Sequence, residues 1–513
     1  MNVHVPANDF GLAARPAGSV RLPAAWLLPS FGVVVFAVAL FQVLFMAQGA
    51  QGLFRDSDTG WHIRNGESIL ESRTAPGVDP FSYTRAGRPW FAWEWLSDIV
   101  LAAAHKLGGL SGVALIAALA IALSAWGAAR LTLSLGGDFL FTAASMILLL
   151  SVTSIHWLAR PHVFSWGIAL LFLAITEHDR RSSTNTIFVL PVLACLWANL
   201  HGSFLLGPAI LLLYAAGELP AWRRAARFAI AALVSLAATF INPYGWHLHE
   251  HVVAYLQNDY LMNHISEFRS FSFHASGAYY VEAFLVVAVI GVLALLKQRA
   301  FGPALLCMAL LHISLYSARH LATSAVLVLP LTVAAITLEV STWPQWQGLL
   351  AYSGRLRDID RKIYGLVPIA IVLAIVVLIS GNNTSSGFHP LKFPVAAARF
   401  LEQSKLESRI FAKDQWGGYL IYRFGGRMKV FIDGRSDFYG SDFLETYAVV
   451  AEGRPGWQSV LKQYDVRAVL VAPNTALSSV LQLSPDWKRV YGDAVAEVFE
   501  LMPEGPESGR VAS

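Results

Sequence analysis

Long apolar runs separated by short polar loops fill the first three quarters of the chain. Runs at about 24–47, 110–129, 138–157, 162–177, 186–200, 203–219, 226–243, 279–297, 301–318, 320–340 and 364–381 approach or reach the roughly 20 residues that cross a bilayer as a helix. They predict a polytopic bundle of about eleven spans. One further apolar stretch, Trp93–Leu107, carries His105 and Lys106 and ends on Gly108-Gly109. It reads as a helix lying on the membrane surface. Beyond Ser380 the pattern changes. Short β-type runs (Arg409–Ala412, Lys429–Ile432, Ala468–Val471, Ala494–Phe499) alternate with helix-like stretches (Val395–Gln403, Asp442–Val450, Gln458–Gln463). The fold class is therefore mostly α, with a small C-terminal extracytoplasmic α/β domain. The expected division is 1–23 as a cytoplasmic segment, 24–381 as the transmembrane domain with a first outer loop at 48–109, and 382–513 as the α/β domain.

Composition agrees with a membrane protein. Only 14% of the 513 residues are charged, against about a quarter in soluble proteins. The net charge of +4 sits mostly in loop Arg and Lys, which speaks of membrane topology and not of nucleic acid. The first apolar run, Leu22–Met46, reads as an uncleaved span, since Met1–Leu22 lacks a short apolar core with a cleavage site. Cys195 and Cys307 both lie in apolar segments and form no disulfide framework.

Basic residues then set the orientation. Arg15 and Arg21, Arg130, Arg180-Arg181, Arg223-Arg224-Arg227, Lys297-Arg299 and Arg355-Arg357-Arg361-Lys362 all fall inside if Trp93–Leu107 does not cross. The N-terminus is then cytoplasmic and the α/β domain lies outside. The inner loops are short and basic. The outer ones collect Asp56-Ser57-Asp58, His62, Glu94, Arg160-Pro161-His162, His201, Glu267 and Arg319-His320. Ionisable groups near membrane depth are costly, and they mark function by default.

Several of these residues suit particular chemistry. Asp56 and Asp58 could abstract a proton or, with His62, hold Mg²⁺ or Mn²⁺. Either could equally end a span and pair with Arg55 or Arg64. Glu94, in the Trp-rich string Trp90–Leu96, fits a supporting carboxylate or an aromatic belt. Arg160, His162, Arg319 and His320 suit a phosphate or simple snorkelling. His201 follows Asn199 in a short outer turn, where polar groups otherwise have little reason to be. His247, His249 and His251 resemble metal ligands, but their spacing does not place them on one helical face; a surface loop is expected there. Trp416-Gly417-Gly418-Tyr419 and Asp433-Gly434-Arg435-Ser436-Asp437 are the distinctive strings of the tail, and Asp433-Gly434 reads as a turn. No Walker loop, Gly-x-Ser-x-Gly or zinc spacing occurs.

An acidic pair after the first span (Asp56, Asp58), a surface helix with Pro89…Trp95-Leu96, and a small Gly turn at Leu107–Gly112 come in an order that resembles the GT-C superfamily of membrane glycosyltransferases. The likeness is to dolichyl-phosphate-mannose protein mannosyltransferases and bacterial lipid-modifying relatives, over about residues 24–340. It implies inverting transfer of a sugar from a polyprenyl-phosphate donor to a lipid, glycan or protein acceptor at the outer face of a membrane, a bacterial inner membrane by expectation. Asp58 would be the base, with Asp56 and Glu94 in support or sharing a metal. Arg160, His162, Arg319 and His320 would face the phosphate. An O-antigen polymerase or ligase, a flippase or transporter, and a non-catalytic scaffold are the competing classes.

Overall fold

The computed structural model describes residues 22–503 apart from 47, 183, 383–386 and 405–408. Most of the expected 1–23 segment and residues 504–513 lie outside the described residues. Helices dominate, and the chain is an integral membrane protein. Among the described residues, five helices are long and apolar enough to cross a membrane: Ala25–Phe45, Trp95–Ser134, Phe139–His156, Ala278–Lys297 and Ala318–Val340. A sixth span arises if Gly202–Gly217 and Leu219–Ala238, bent by 81° to each other, count as one. The other expected spans are helices that are shorter or carry charge at one end. Thr186–Leu200 and Phe301–Tyr316 are short, and His162–Ser182 ends on Glu177, Asp179, Arg180 and Arg181.

Helix Trp95–Ser134 is the hub. It packs against the first span, helix His162–Ser182, helix Leu321–Val340 and, along its first turns, helix Asp58–Ser72. Its backbone leaves helical geometry at Gly108 and at Gly109, whose φ of 58° favours glycine. The break thus falls where the sequence places it. Small residues let the helices approach closely. Added to Gly66, a Cβ would stand 2.0 Å from the Asp98 carbonyl oxygen, and added to Gly291 it would stand 2.1 Å from Thr332 Cβ.

The α/β part carries a four-stranded sheet in the order β1-β2-β4-β3. The strands are β1 Arg409–Ala412, β2 Val466–Val471, β3 Trp487–Gly492 and β4 Glu497–Leu501. β1 and β2 are parallel; the other two pairs are antiparallel. The expected strand at Lys429–Ile432 is not part of this sheet. Val430 instead exchanges backbone hydrogen bonds with the first loop, donating to Phe81 O (3.0 Å) and accepting from Tyr83 N (3.1 Å). Its apolar run is buried against that loop. β3 escapes the sequence pattern because it is an edge strand with mostly outward-facing residues. The helix expected at Asp442–Val450 begins earlier, at Ser436. His247–Leu256 is a helix, not the expected surface loop.

Helix Asp414–Arg423 lays Gly417-Gly418 on the start of helix Asp58–Ser72. A Cβ on Gly60 would meet Gly418 O at 2.2 Å, and one on Gly418 would meet Ser57 O at 2.3 Å. Arg64 fixes the same seam from the side, since its Nε (3.0 Å) and Nη2 (2.7 Å) donate to Tyr422 O. Overpacking a tight helix contact costs about 1–3 kcal/mol. Gly66→Ala is therefore expected to lower the unfolding free energy by about that amount, read as a lower melting temperature in detergent. An unchanged melting temperature would show that the helices can part without cost.

Candidate active site

Asp58 opens helix Asp58–Ser72, and its backbone N donates to Asp56 Oδ1 (3.0 Å). Neither carboxylate pairs with Arg55 or Arg64, the partners that the sequence offers. Both turn to Arg160, 102 positions or more away in sequence. Its Nη1 lies 2.6 Å from Asp56 Oδ2 and its Nη2 3.0 Å from Asp58 Oδ2. The flat guanidinium fork suits two carboxylates at once. Arg55 instead donates to the Ser154 and Ile155 carbonyls, and Arg64 pairs with Glu67 (2.5 Å).

A helix N-terminus favours negative charge, but burial of Asp58 acts against it. Burial first, and the neighbouring Asp56 second, push the Asp58 carboxyl up to about 8, although Arg160 pulls the other way. Burial also opposes the charge on Arg160, yet Asp56 and Asp58 hold its pKa well above the ordinary value.

One turn on, His62 falls on the same face as Asp58 and is fully buried. Its Nδ1 lies 2.6 Å from Asp98 Oδ1, and Asn65 Nδ2 donates to Asp98 Oδ2 (2.6 Å). Glu94, a turn before Asp98, comes within 3.6 Å of His62 Nε2 and 3.3 Å of His201 Nε2. His201 is held by Ser203 Oγ at 2.7 Å from its Nδ1. A polar chain Asp98–His62–Glu94–His201 therefore runs through the buried floor. Burial raises the Glu94 carboxyl to about 7 and lowers the His62 imidazole to about 3, so each resists taking charge.

Arg160 also lines a cavity with His156, His162, His201, Glu267, Arg319 and His320. The cavity measures about 60 Å³, where one water needs about 10–15 Å³. Glu267 is the one carboxylate in it. Burial would raise its pKa, but Arg319 and Arg160 outweigh burial and lower it to about 2. Arg319 Nη1 lies 3.0 Å from Glu267 Oε1, and His162 Nε2 lies 2.8 Å from the His156 carbonyl. The structure thus brings all nine residues singled out from the sequence to one region: Asp56, Asp58, His62, Glu94, Arg160, His162, His201, Arg319 and His320.

The sequence reading missed Asp98, which lies one helical turn after Glu94 in a segment read as apolar. It also passed over Asp79, and it took Asp433 and Arg435 only as part of a distinctive string that opens on a turn. Their signal is only tertiary, since Arg435 Nη2 joins Asp433 Oδ2 (2.6 Å) to Asp79 Oδ1 (2.9 Å).

The expected metal set of Asp56, Asp58 and His62 does not fit a divalent cation as arranged. Arg160 takes both carboxylates, and His62 gives Nδ1 to Asp98 while its Nε2, 3.6 Å from Glu94, is left without a hydrogen bond. Among the described residues no group of three or more His, Cys, Asp or Glu is placed to hold a metal ion. The three candidate histidines diverge. His251 Nε2 reaches Asp437 (3.0 Å), His249 Nε2 reaches Thr239 (2.7 Å), and His247 faces Glu250 (3.3 Å).

No protein-family model and no curated protein matches the chain. Its fold is similar to those of solved oligosaccharyltransferase and ArnT structures. Archaeal oligosaccharyltransferase AglB from Archaeoglobus fulgidus, in complex with an inhibitory peptide and a dolichol-phosphate, superposes with a TM-score of 0.56 at 11% identity, over 86% of this chain and 69% of its own. The oligosaccharyltransferase of the same organism with Zn and sulfate gives 0.54 at 12% identity, over 86% and 68%. ArnT from Cupriavidus metallidurans bound to undecaprenyl phosphate gives 0.50 at 17% identity, over 93% and 99%.

Removing one partner of a buried ion pair costs about 3–5 kcal/mol. Arg160→Met is expected to destabilise the protein by roughly that amount, measured by thermal or denaturant unfolding, with Arg160→Lys between it and the parent. A variant as stable as the parent would show the bridge to be weak.

Proposed function

We propose that the protein is an inverting glycosyltransferase that moves a sugar from a polyprenyl-phosphate donor to a lipid, glycan or protein acceptor. The reaction would take place at the outer face of a bacterial inner membrane, with the N-terminus inside and residues 382–513 outside as a separate α/β domain. The observation that carries this reading is Arg160. One guanidinium touches the carboxylate pair and also lines the cavity of Arg319, His156, His162, His201 and His320. A candidate base and a cavity lined by two arginines and four histidines are thereby adjacent. The bound lipid phosphates of AglB and ArnT support a lipid-phosphate donor here.

In this mechanism the acceptor hydroxyl attacks the anomeric carbon while Asp58 takes its proton. The bond from that carbon to the phosphate oxygen breaks, and the phosphate leaves with the electron pair. Arg160, Arg319 and His320 donate hydrogen bonds to it and stabilise the growing charge, while His162, whose Nε2–H is given to the His156 carbonyl, shapes the cavity wall. Asp56 keeps Arg160 oriented and, as a like charge, keeps Asp58 basic enough to act near neutral pH. No step is routed through a metal, because a cation would have to displace Arg160 from both carboxylates.

Asp58→Asn is expected to lower turnover of an undecaprenyl-phosphate-linked hexose or pentose by about 10²–10⁴-fold while the protein stays folded in the membrane. Retained activity would end the assignment of the base, and Asp56→Asn is its companion. A base must be deprotonated to act, so activity should rise with pH and level off above about 8, the value to which Asp58 is raised. A flat profile from about pH 6 to about pH 9 would speak against Asp58. Chelation with EDTA should leave turnover unchanged; loss that Mg²⁺ or Mn²⁺ restores would bring back the metal reading.

A further inference from the structure

The turn Asp433-Gly434-Arg435-Ser436-Asp437 of the α/β part takes no part in the steps above, yet it reaches three separate places in the membrane part: Asp58, the first loop and helix His247–Leu256. Gly434 rests on the Asp58 carboxylate. Arg435 Nη2 reaches Asp79 (2.9 Å), and its guanidinium lies 4.5 Å from the Trp90 ring centre. Ser436 Oγ and Tyr255 Oη are 3.0 Å apart, and Asp437 Oδ2 is 3.0 Å from His251 Nε2. Asp433 clamps Arg435 through two bonds of 2.7 and 2.6 Å and accepts from Tyr439 Oη (3.0 Å). The turn is buried and rigidly held; Asp433 and Arg435 are both almost inaccessible.

The contact at Gly434 is the decisive one. A Cβ there would stand 2.0 Å from Asp58 Oδ1, 2.8 Å from its Cγ and 3.0 Å from Oδ2. Gly434 is not among the residues with positive φ, so its backbone does not itself require glycine. What excludes a side chain is the carboxylate. Asp58 is thus held from two sides, Oδ2 by Arg160 and Oδ1 by a bare Cα of the α/β part.

We propose that Gly434 is a positioning residue for Asp58. The 433–437 turn forms one wall of the carboxylate and sets the direction of its oxygens, so the site is complete only with the α/β part docked. This rests on the reading of Asp58 as the base. The charged groups that face Asp58 are Asp56 and Arg160 from the membrane part, Glu267 across the cavity, and Asp433 from the turn.

The test is Gly434→Ala in the full-length protein, assayed with an undecaprenyl-phosphate-linked sugar. Gly492→Ala is the control, because a Cβ at Gly492 meets nothing closer than 3.8 Å. A displacement of about 1 Å at a reacting group costs on the order of 10²-fold. Gly434→Ala should therefore lower kcat by about 10–100-fold, leave KM for the donor nearly unchanged and move the acid limb of the pH profile. Gly492→Ala should leave all three as in the parent. Parent-like kcat and pH limb in Gly434→Ala overturn the proposal, as does a fall in activity that only tracks loss of folded protein.

Should Gly434→Ala fold poorly, the contact can be read from melting temperatures in a double-mutant cycle. In an Asp58→Ala background the added methyl has no carboxylate to meet, so its penalty should vanish. A penalty of the same size in both backgrounds would place the clash elsewhere. The two readings fail separately. Activity retained in Asp58→Asn removes the base, whereas an inactive Asp58→Asn with a parent-like Gly434→Ala removes only the positioning role.

Discussion

Two aspartates separated by one residue are packed into a buried corner, and one arginine makes that arrangement tolerable. Without Arg160, Asp56 and Asp58 would repel each other in a setting that already disfavours charge. With it, the first loop is tied to the segment before helix His162–Ser182, and the basic cavity lies beside the carboxylates. The same interaction leaves Asp58 in an intermediate state. Burial and Asp56 raise its proton affinity, while Arg160 keeps the charged form within reach. A carboxylate balanced in this way can act as a base near neutral pH, which an exposed aspartate does poorly.

The surroundings divide the work by charge. On one side of Arg160 lie carboxylates, with the Asp98–His62–Glu94–His201 chain beneath them. On the other lie Arg319 and several histidines with a single acid, Glu267, already paired to Arg319. Glycines let the walls close. Gly60 and Gly418 bring two helices to backbone contact, and Gly434 brings a turn to the Asp58 carboxylate. The α/β part is therefore bound to the region that holds the candidate base and is not an appendage hanging from the last helix.

Much of the site was legible because each candidate is an ionisable residue at the end of an apolar run, where burying it without a purpose is costly. Arg160, His162, Arg319 and His320 stood out on that ground, and so did Asp56 and Asp58. Asp98 did not, because a single acid in an apolar stretch expected to lie on the membrane surface reads as a position facing water. The partners were harder still. Arg55 and Arg64 are near the acidic pair in sequence, but their side chains reach the Ser154, Ile155 and Tyr422 carbonyls. The runs 203–219 and 226–243 form helices bent by 81° to each other, a relation that hydropathy does not encode.

Alone, the sequence determined the apolar helices, the change of character after Ser380, the break at Gly108-Gly109 and which residues were too polar for their surroundings. These are local properties, written in runs of 10 to 20 residues, as expected of hydrophobic period and turn chemistry. Tertiary structure decided the pairing. It chose Arg160 for both aspartates, turned His62 to Asp98 and Glu94 in place of a metal, drew Val430 away from the sheet to the first loop, and set Gly434 on Asp58. Each of these contacts joins residues far apart in the chain, and only the packing of whole helices fixes which side chains meet.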